Sequence, residues 1–412
     1  MDVQQLQGQQ IMVAVSGGLD SCTITHWLTR HGVHVVAYTA DLGQPDERDI
    51  DDVRRRMLAC GAEEMIVADL KDALCRAGLQ VIQAGARYEG GYWNTTGIAR
   101  HVVVEGMVPE LRRRGIAVLG HGATGRGNDQ VRFQVATQML APEIRVYAPW
   151  RDQAFLAEFG GRKQMIDYCH AHGLPISATH AKPYSTDANM LGLTHEAGEL
   201  ESLQTPARRI EPGMGVLPTE AAAKPEVFVV RFERGAPVRI GDQPVGPQQA
   251  IALSNQIAGR HGVGIGLHTV ENRFVGIKSR GVYEAPGMEL LGTCYGYLLQ
   301  LLLDRRARRL YDQVSAFLAE QIYQGYWFDT ASQAARRLVE HFAQLATGTI
   351  AVELFRGTVS FHSATDVPHS LYSPDTSSME AVGDFDHRDS EGFLAVLGVS
   401  ARALSAARQV GR

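Results

Sequence analysis

Apolar and polar positions alternate between two periods along the first 120 residues. Residues 11–15 form a short, continuous apolar run bounded by Ser16-Gly17-Gly18, the pattern of a strand buried on both faces. From Leu19 to Arg30 the period lengthens. Ile24, Trp27 and Leu28 fall on one helical face, and Gly32 is placed to end the helix. The exchange repeats with a strand at 33–39, a helix at 47–59 carrying Ile50, Val53 and Met57 on one face, a strand at 65–68 and a helix at 69–82. A helix at 102–113 and a strand at 116–120 follow. This alternation predicts a parallel sheet with right-handed crossovers, an α/β fold. Residues 88–96 break the rhythm with Glu89-Gly90-Gly91 and three aromatics, and read as a functional loop.

After residue 178 the pattern loosens. Residues 183–189 and 206–225 read as long connections, 227–234 as a strand, 248–259 as a helix and 290–324 as one long helix. Its Arg305-Arg306-Ala307-Arg308-Arg309 run reads as a solvated face. Residues 349–361 have a strand's period of two. Beyond residue 370 a Gly/Asp/Ser-rich tail with a short Ala-rich helix at 402–409 has too little apolar surface for its own core, and is expected to pack on another subunit. The divisions expected are 1–175, 176–369 and a C-terminal arm at 370–412.

Composition narrows the class. The 412 residues are 45% hydrophobic and 21% charged with net charge −5, a globular profile without the basic footprint of a nucleic-acid binder. Five widely spaced cysteines without a Cys-x-x-Cys pair argue for reduced thiols. Cys169-His170-Ala171-His172 looks metal-like, but no second ligand pair is spaced to complete a site. No apolar run approaches about 18 residues and the first residues are polar, so no membrane span or signal peptide is expected. A cytoplasmic protein follows.

Chemistry concentrates at strand ends. Gly17 and Gly18 let the chain turn tightly into a helix N-terminus whose free amides suit an anion, and no Gly-Lys-Ser/Thr of a Walker loop follows. His121-Gly122-Ala123-Thr124-Gly125-Arg126-Gly127-Asn128-Asp129-Gln130-Val131-Arg132-Phe133 places three glycines and both signs of charge directly after a strand. Residues 270–284, dense in charge beside glycines, read as a further part of a site.

Ser16-Gly17-Gly18-Leu19-Asp20-Ser21 resembles the SGGxDS motif of ATP pyrophosphatases. With the 121–133 stretch, Ala148-Pro149-Trp150, His261-Gly262-Val263-Gly264 and VENRFVGIKSRGVYE at 270–284, the chain resembles argininosuccinate synthetases over nearly its whole length. The resemblance implies a nucleotide domain of the ATP-pyrophosphatase type, a second α+β synthetase domain and an arm that joins a homotetramer. It also implies ATP with Mg²⁺, and a ureido acid (citrulline or an analogue) adenylylated and then attacked by aspartate. Carried over by motif, Ala14, Ser16, Gly17, Gly18, Asp20, Ser21, Ala40 and Gly122 serve the nucleotide. Thr124, Asn128 and Asp129 serve aspartate. Tyr92, Gly97, Arg100, Asn128, Arg132, Ser185, Thr194, Glu271 and Tyr283 serve the acceptor side, and Asp20, Asp129 and Arg132 are the expected catalytic set.

The family generally has a serine that contacts citrulline where this chain has Gly97, and a proline where it has His101. Thr194 replaces a second serine, His195 a tyrosine, and Ile265-Gly266-Leu267-His268 a Gly-Arg-x-Asp stretch. These departures fall on the acceptor side. Two other readings follow from them: a paralogue joining aspartate to another ureido or amide-type acceptor, and a nucleotide-binding regulatory protein without turnover. The intact Thr124, Asn128, Asp129 and Arg132 argue against the second, because binding ATP alone needs no aspartate site.

Overall fold

The computed structural model describes residues 1–45, 47, 49–125, 127–176, 184–378, 380 and 386–411. Five parallel strands form the first sheet: β1 (Gln10–Ala14), β2 (His34–Asp41), β3 (Glu64–Asp69), β4 (Val118–His121) and β5 (Arg145–Tyr147), in the order β3-β2-β1-β4-β5. Alternate residues supply two cores, which is why the strands read as continuous apolar runs. Ile11, Val13, Val35 and Ala37 pack with Trp27 and Leu28 of α1 (Leu19–Arg30) and with Val53 and Met57 of α2 (Ile50–Ala59). Met12, Val36 and Tyr38 face α3 (Lys71–Ala84) and α4 (Thr95–Arg114), in a core continuous with the rest of the chain. The layer is completed by α5 (Asp129–Leu140), α6 (Gln153–Glu158) and α7 (Arg162–Ala171).

Beyond residue 184 the strands pair antiparallel. β6 (Ser185–Asn189) and β7 (Gly192–Glu196) join β11 (Ile265–Asn272) and β12 (Lys278–Glu284) in the order β11-β12-β7-β6. A second sheet, β10-β9-β8-β13-β14, uses β8 (Glu226–Glu233), β9 (Ala236–Ile240), β10 (Gln243–Pro244), β13 (Gly348–Phe355) and β14 (Thr358–Thr365). The helices here are α8 (Pro247–Arg260), α9 (Pro286–Leu302), α10 (Arg305–Gln324), α11 (Thr330–Ala343), α12 (Pro374–Ser377) and α13 (His387–Ala406).

Five elements differ from the sequence reading. The helix expected at 102–113 starts at Thr95, so Gly97 is helical and the preceding loop ends at Asn94, which takes a left-handed conformation (φ +55°). The connection expected at 183–189 contains β6; Pro183 itself, like Arg126 and part of the tail, lies outside the described residues. The long helix at 290–324 breaks at Leu303-Asp304, where the Asp304 carboxylate accepts the Arg306 and Ala307 amides at 3.1 and 2.7 Å and starts α10. Residues 349–361 fall in a hairpin that turns through Arg356-Gly357, and the tail helix runs from His387 to Ala406. Cys169 packs in the core with its thiol 3.2 Å from Thr23 Oγ1, and the His172 ring lies tilted against Tyr168 and His26. No described helix is long and apolar enough to cross a membrane.

Candidate active site

Beyond β1 the chain passes through Ser16-Gly17-Gly18 into α1. Gly17 has φ +75°, and a Cβ there would sit 2.8 Å from Val53 Cγ1, so only glycine fits. The Ser21 hydroxyl accepts the Ser16 amide at 2.9 Å, and Arg56 donates to the Gly17 carbonyl, which holds the loop's shape. Gly18 is the N-cap and offers no side-chain acceptor, so the first amides of α1 face outward with the positive end of the helix dipole. Ala14 ends β1, and Ala40 is the last residue but one of the neighbouring β2. Gly122, just past β4, is bare where a Cβ would lie 3.9 Å from that of Asp20. Burial pushes the Asp20 carboxyl up, and the Trp150 indole and Arg162 charge partly offset this.

Seven residues further along, α5 begins at Asp129. Burial alone would raise its carboxyl. Arg100 Nε of α4 at 2.9 Å and Arg132 Nη1 at 2.8 Å outweigh that and hold it well below the usual range. Arg100 also pairs with Asp187 of β6. Arg132 is buried: its Nε donates to the Tyr323 carbonyl at 2.9 Å, its guanidinium lies 4.9 Å over the Tyr323 ring, and Nη2 has no partner among the described residues. Asn128 Nδ2 donates to the Tyr323 hydroxyl at 2.8 Å while its carbonyl accepts the Phe274 amide at 3.0 Å.

Four tyrosines wall the cluster. Tyr92 stacks on Tyr283 at 4.3 Å, Tyr88 stacks on Tyr323 at 3.7 Å, and Tyr92 meets Tyr323 edge-on. The Tyr92 hydroxyl accepts the Thr96 and Gly97 amides at 2.9 and 3.3 Å, capping α4 where Asn94 makes no side-chain cap. Tyr283 donates to Glu271 Oε1 at 2.6 Å, and the second Glu271 oxygen is buried without a hydrogen bond among the described residues. Burial raises the Glu271 carboxyl, with the Tyr283 and Tyr323 hydroxyls opposing it. Thr96 and Thr194 hydroxyls lie 3.2 Å apart.

Of the expected residues, Tyr92, Arg100, Asn128, Asp129, Arg132, Glu271 and Tyr283 converge, and Thr194 joins through Thr96. Thr124 is exposed on the loop before α5, and Ser185 starts β6 opposite Glu196 at the rim. Gly97 differs: a Cβ there would point at Ile322 Cγ2 (3.4 Å) and at Asn94 Oδ1 and the Ile322 carbonyl (both 3.5 Å), into α10. Sequence reasoning missed Tyr88, Asp187 and Tyr323. For Tyr323 the signal was the Gly325-Tyr326-Trp327 run that ends a helix whose Arg305–Arg309 run reads as a solvated face.

Residues 10–175 match the arginosuccinate synthase N-terminal HUP domain, and residues 184–404 match the arginosuccinate synthase C-terminal domain. The chain belongs to the argininosuccinate synthase family. Curated argininosuccinate synthases from Rhodopirellula baltica, Nitratidesulfovibrio vulgaris (strain Hildenborough) and Thermotoga sp. (strain RQ2) are 39%, 38% and 36% identical to it. The alignments cover 95%, 96% and 94% of this chain and 96%, 98% and 95% of those proteins. The family's parallel-sheet domain thus carries the glycine loop, and its antiparallel domain supplies Glu271, Tyr283 and Tyr323.

Proposed function

We propose that this chain is an ATP-dependent carbon–nitrogen ligase joining citrulline to aspartate with release of AMP and pyrophosphate. The ureido oxygen of citrulline attacks the α-phosphorus of ATP, forming the adenylate and expelling pyrophosphate. The aspartate amine then attacks the ureido carbon, AMP leaves with the former ureido oxygen, and the amine loses its proton. Catalysis of this kind rests on positioning and charge stabilisation, without a protein nucleophile.

The observation that carries the reading is the pair of unmatched polar atoms in the tyrosine-walled cluster. Among the described residues Arg132 Nη2 lacks an acceptor and the second Glu271 oxygen lacks a donor, the complement of an amino acid's carboxylate and ammonium. Asp129, kept ionised by Arg100 and Arg132, suits the ammonium of aspartate, with Thr124 and Asn128 beside it. Tyr92, Thr194, Ser185 and Tyr283 enclose the acceptor. The loop from Ser16 to Ser21 takes the pyrophosphate moiety, and Ala14, Ala40 and Gly122 line the nucleotide. No group of three metal-ligating side chains occurs among the described residues, so Mg²⁺ would be held mainly by phosphate oxygens with Asp20 as the nearby carboxylate. That ion, when bound, neutralises phosphate charge.

Phe393, Leu394, Val396, Leu397, Val399 and Leu404 of α13 are all exposed, an apolar surface that a homotetramer would cover. The five cysteines are buried and free, in keeping with a reducing cytoplasm. The test is pyrophosphate release from ATP, which requires citrulline and aspartate together for sustained turnover.

A further inference from the structure

The last turn of α10 is where the second domain enters the acceptor site, and its carbonyls belong to the set that a helix leaves unpaired. The Gln321 carbonyl takes the Gly325 and Tyr326 amides at 3.1 and 2.8 Å. The Tyr323 carbonyl takes Arg132 Nε at 2.9 Å. The Ile322 carbonyl lies 3.2 Å from His101 Nε2 on α4. Gly325 (φ +101°) brings the helix end onto α5, where a Cβ would sit 3.3 Å from Arg132 Cα. The turn so fixed presents Tyr323, which takes the Asn128 amide on its hydroxyl, the Arg132 guanidinium over its face and Tyr88 against its ring.

His101 is fully buried, stacked 6.5 Å from Trp327 and edge-on to Phe328 at 5.7 Å. Burial, reinforced by the Arg132 and Arg336 charges, pulls its pKa down to about 3, so the ring is neutral in the working range. A carbonyl can only accept, so the proton sits on Nε2 and Nδ1 is bare. Residue 97 lies one helical turn earlier and faces the same Ile322 carbonyl, but as glycine it offers no donor. Where the family's proline stands at 101, no side-chain donor exists there either.

We propose that His101 is a positioning residue for the acceptor substrate: its Nε2–H caps the Ile322 carbonyl, sets Tyr323 against Asn128 and Arg132, and supplies from α4 the contact that Gly97 lacks. The proposal rests on the acceptor site assigned above. Its test compares His101→Leu, which removes the donor, with His101→Gln, whose amide can still donate. Two readouts are taken: hydrogen exchange of the Gly325 and Tyr326 amides, and the KM of each substrate in pyrophosphate release. His101→Leu is expected to speed that exchange at least tenfold and raise the citrulline KM at least fivefold, with ATP and aspartate within twofold. His101→Gln should recover most of both effects. Unchanged exchange in His101→Leu, an unchanged citrulline KM, or a parallel rise for all three substrates overturns the proposal. A wild-type protein that releases no pyrophosphate with citrulline overturns the proposed reaction instead, while the exchange comparison still decides whether His101 holds the turn.

Discussion

Asp129 Oδ1 lies 2.8 Å from Arg132 Nη1, one turn along α5, while Arg100 reaches the other carboxylate oxygen at 2.9 Å from α4. One carboxylate thus pairs with two guanidinium groups at the meeting point of both domains, and Asp187 supplies Arg100 with a second carboxylate. Asp129→Asn keeps the size and removes the charge. Loss of a charged hydrogen bond to the aspartate ammonium, worth about 1.5–3 kcal/mol, should raise the aspartate KM roughly ten- to a hundredfold. Steady-state kinetics with aspartate varied checks this, and an unchanged KM places the donor elsewhere.

The same pair sets a pH dependence of stability. The folded carboxyl titrates below its unfolded counterpart, so its stabilisation is complete above pH about 4 and is lost as pH falls through its depressed folded value. Thermal melts should therefore show wild type losing stability between pH 4 and 2 more steeply than Asp129→Asn. Parallel curves contradict the assignment.

Glu271 gives the opposite sign. Burial raises its carboxyl, and the Tyr283 hydroxyl, 2.6 Å away, favours the charged form. Removing that donor in Tyr283→Phe raises the carboxyl further, so Glu271 stays protonated to a higher pH and holds an ammonium less well. The acidic rise in citrulline KM should move to higher pH in this variant. A shift to lower pH, or none, rejects Glu271 as the ammonium partner.

Gly97→Ser tests what a side chain at 97 touches. The structure aims a Cβ there at α10 and leaves Asn94 Oδ1 without a donor in front of it. The hydroxyl should satisfy that oxygen and stabilise the fold by about 1 kcal/mol, with a smaller gain from replacing a helical glycine. The melting temperature should rise while the citrulline KM changes less than twofold. A tenfold fall in KM without a rise in stability would mean that the hydroxyl turns to the ligand.

The apolar face of α13 predicts an assembly role. A chain ending at Ser378 should show a smaller mass in light scattering, relative to its chain mass, than the full chain at the same concentration. An unchanged mass shows that other surfaces hold the subunits together.

The first sheet was legible because its strands lie between two cores, so Ile11 to Val13 and Val35 to Tyr38 are apolar whichever way they point. The glycine loop was legible because φ +75° at Gly17 and its approach to Val53 exclude other residues. The acceptor wall was harder to read. Tyr323 ends a helix whose exposed arginines dominate its pattern, and it meets Asn128, 195 positions away, only through tertiary packing. Asp187 sits in a five-residue strand with a weak period-two signal, bounded by residues rich in turn formers. The side chain implied at Gly97 could be placed in a motif from sequence, but its direction depends on α4 starting at Thr95 rather than at 102.

In the proposed reaction, one site couples ATP cleavage at the α-phosphate to joining citrulline and aspartate. Pyrophosphate and AMP release should be followed with each of the three substrates omitted in turn, alongside mass detection of the condensed product. Stoichiometric AMP, pyrophosphate and argininosuccinate are expected only when all three are present, with all three products lost in Asp20→Ala. Sustained release without aspartate, or none with citrulline but turnover with another ureido acid, would contradict the proposed reaction.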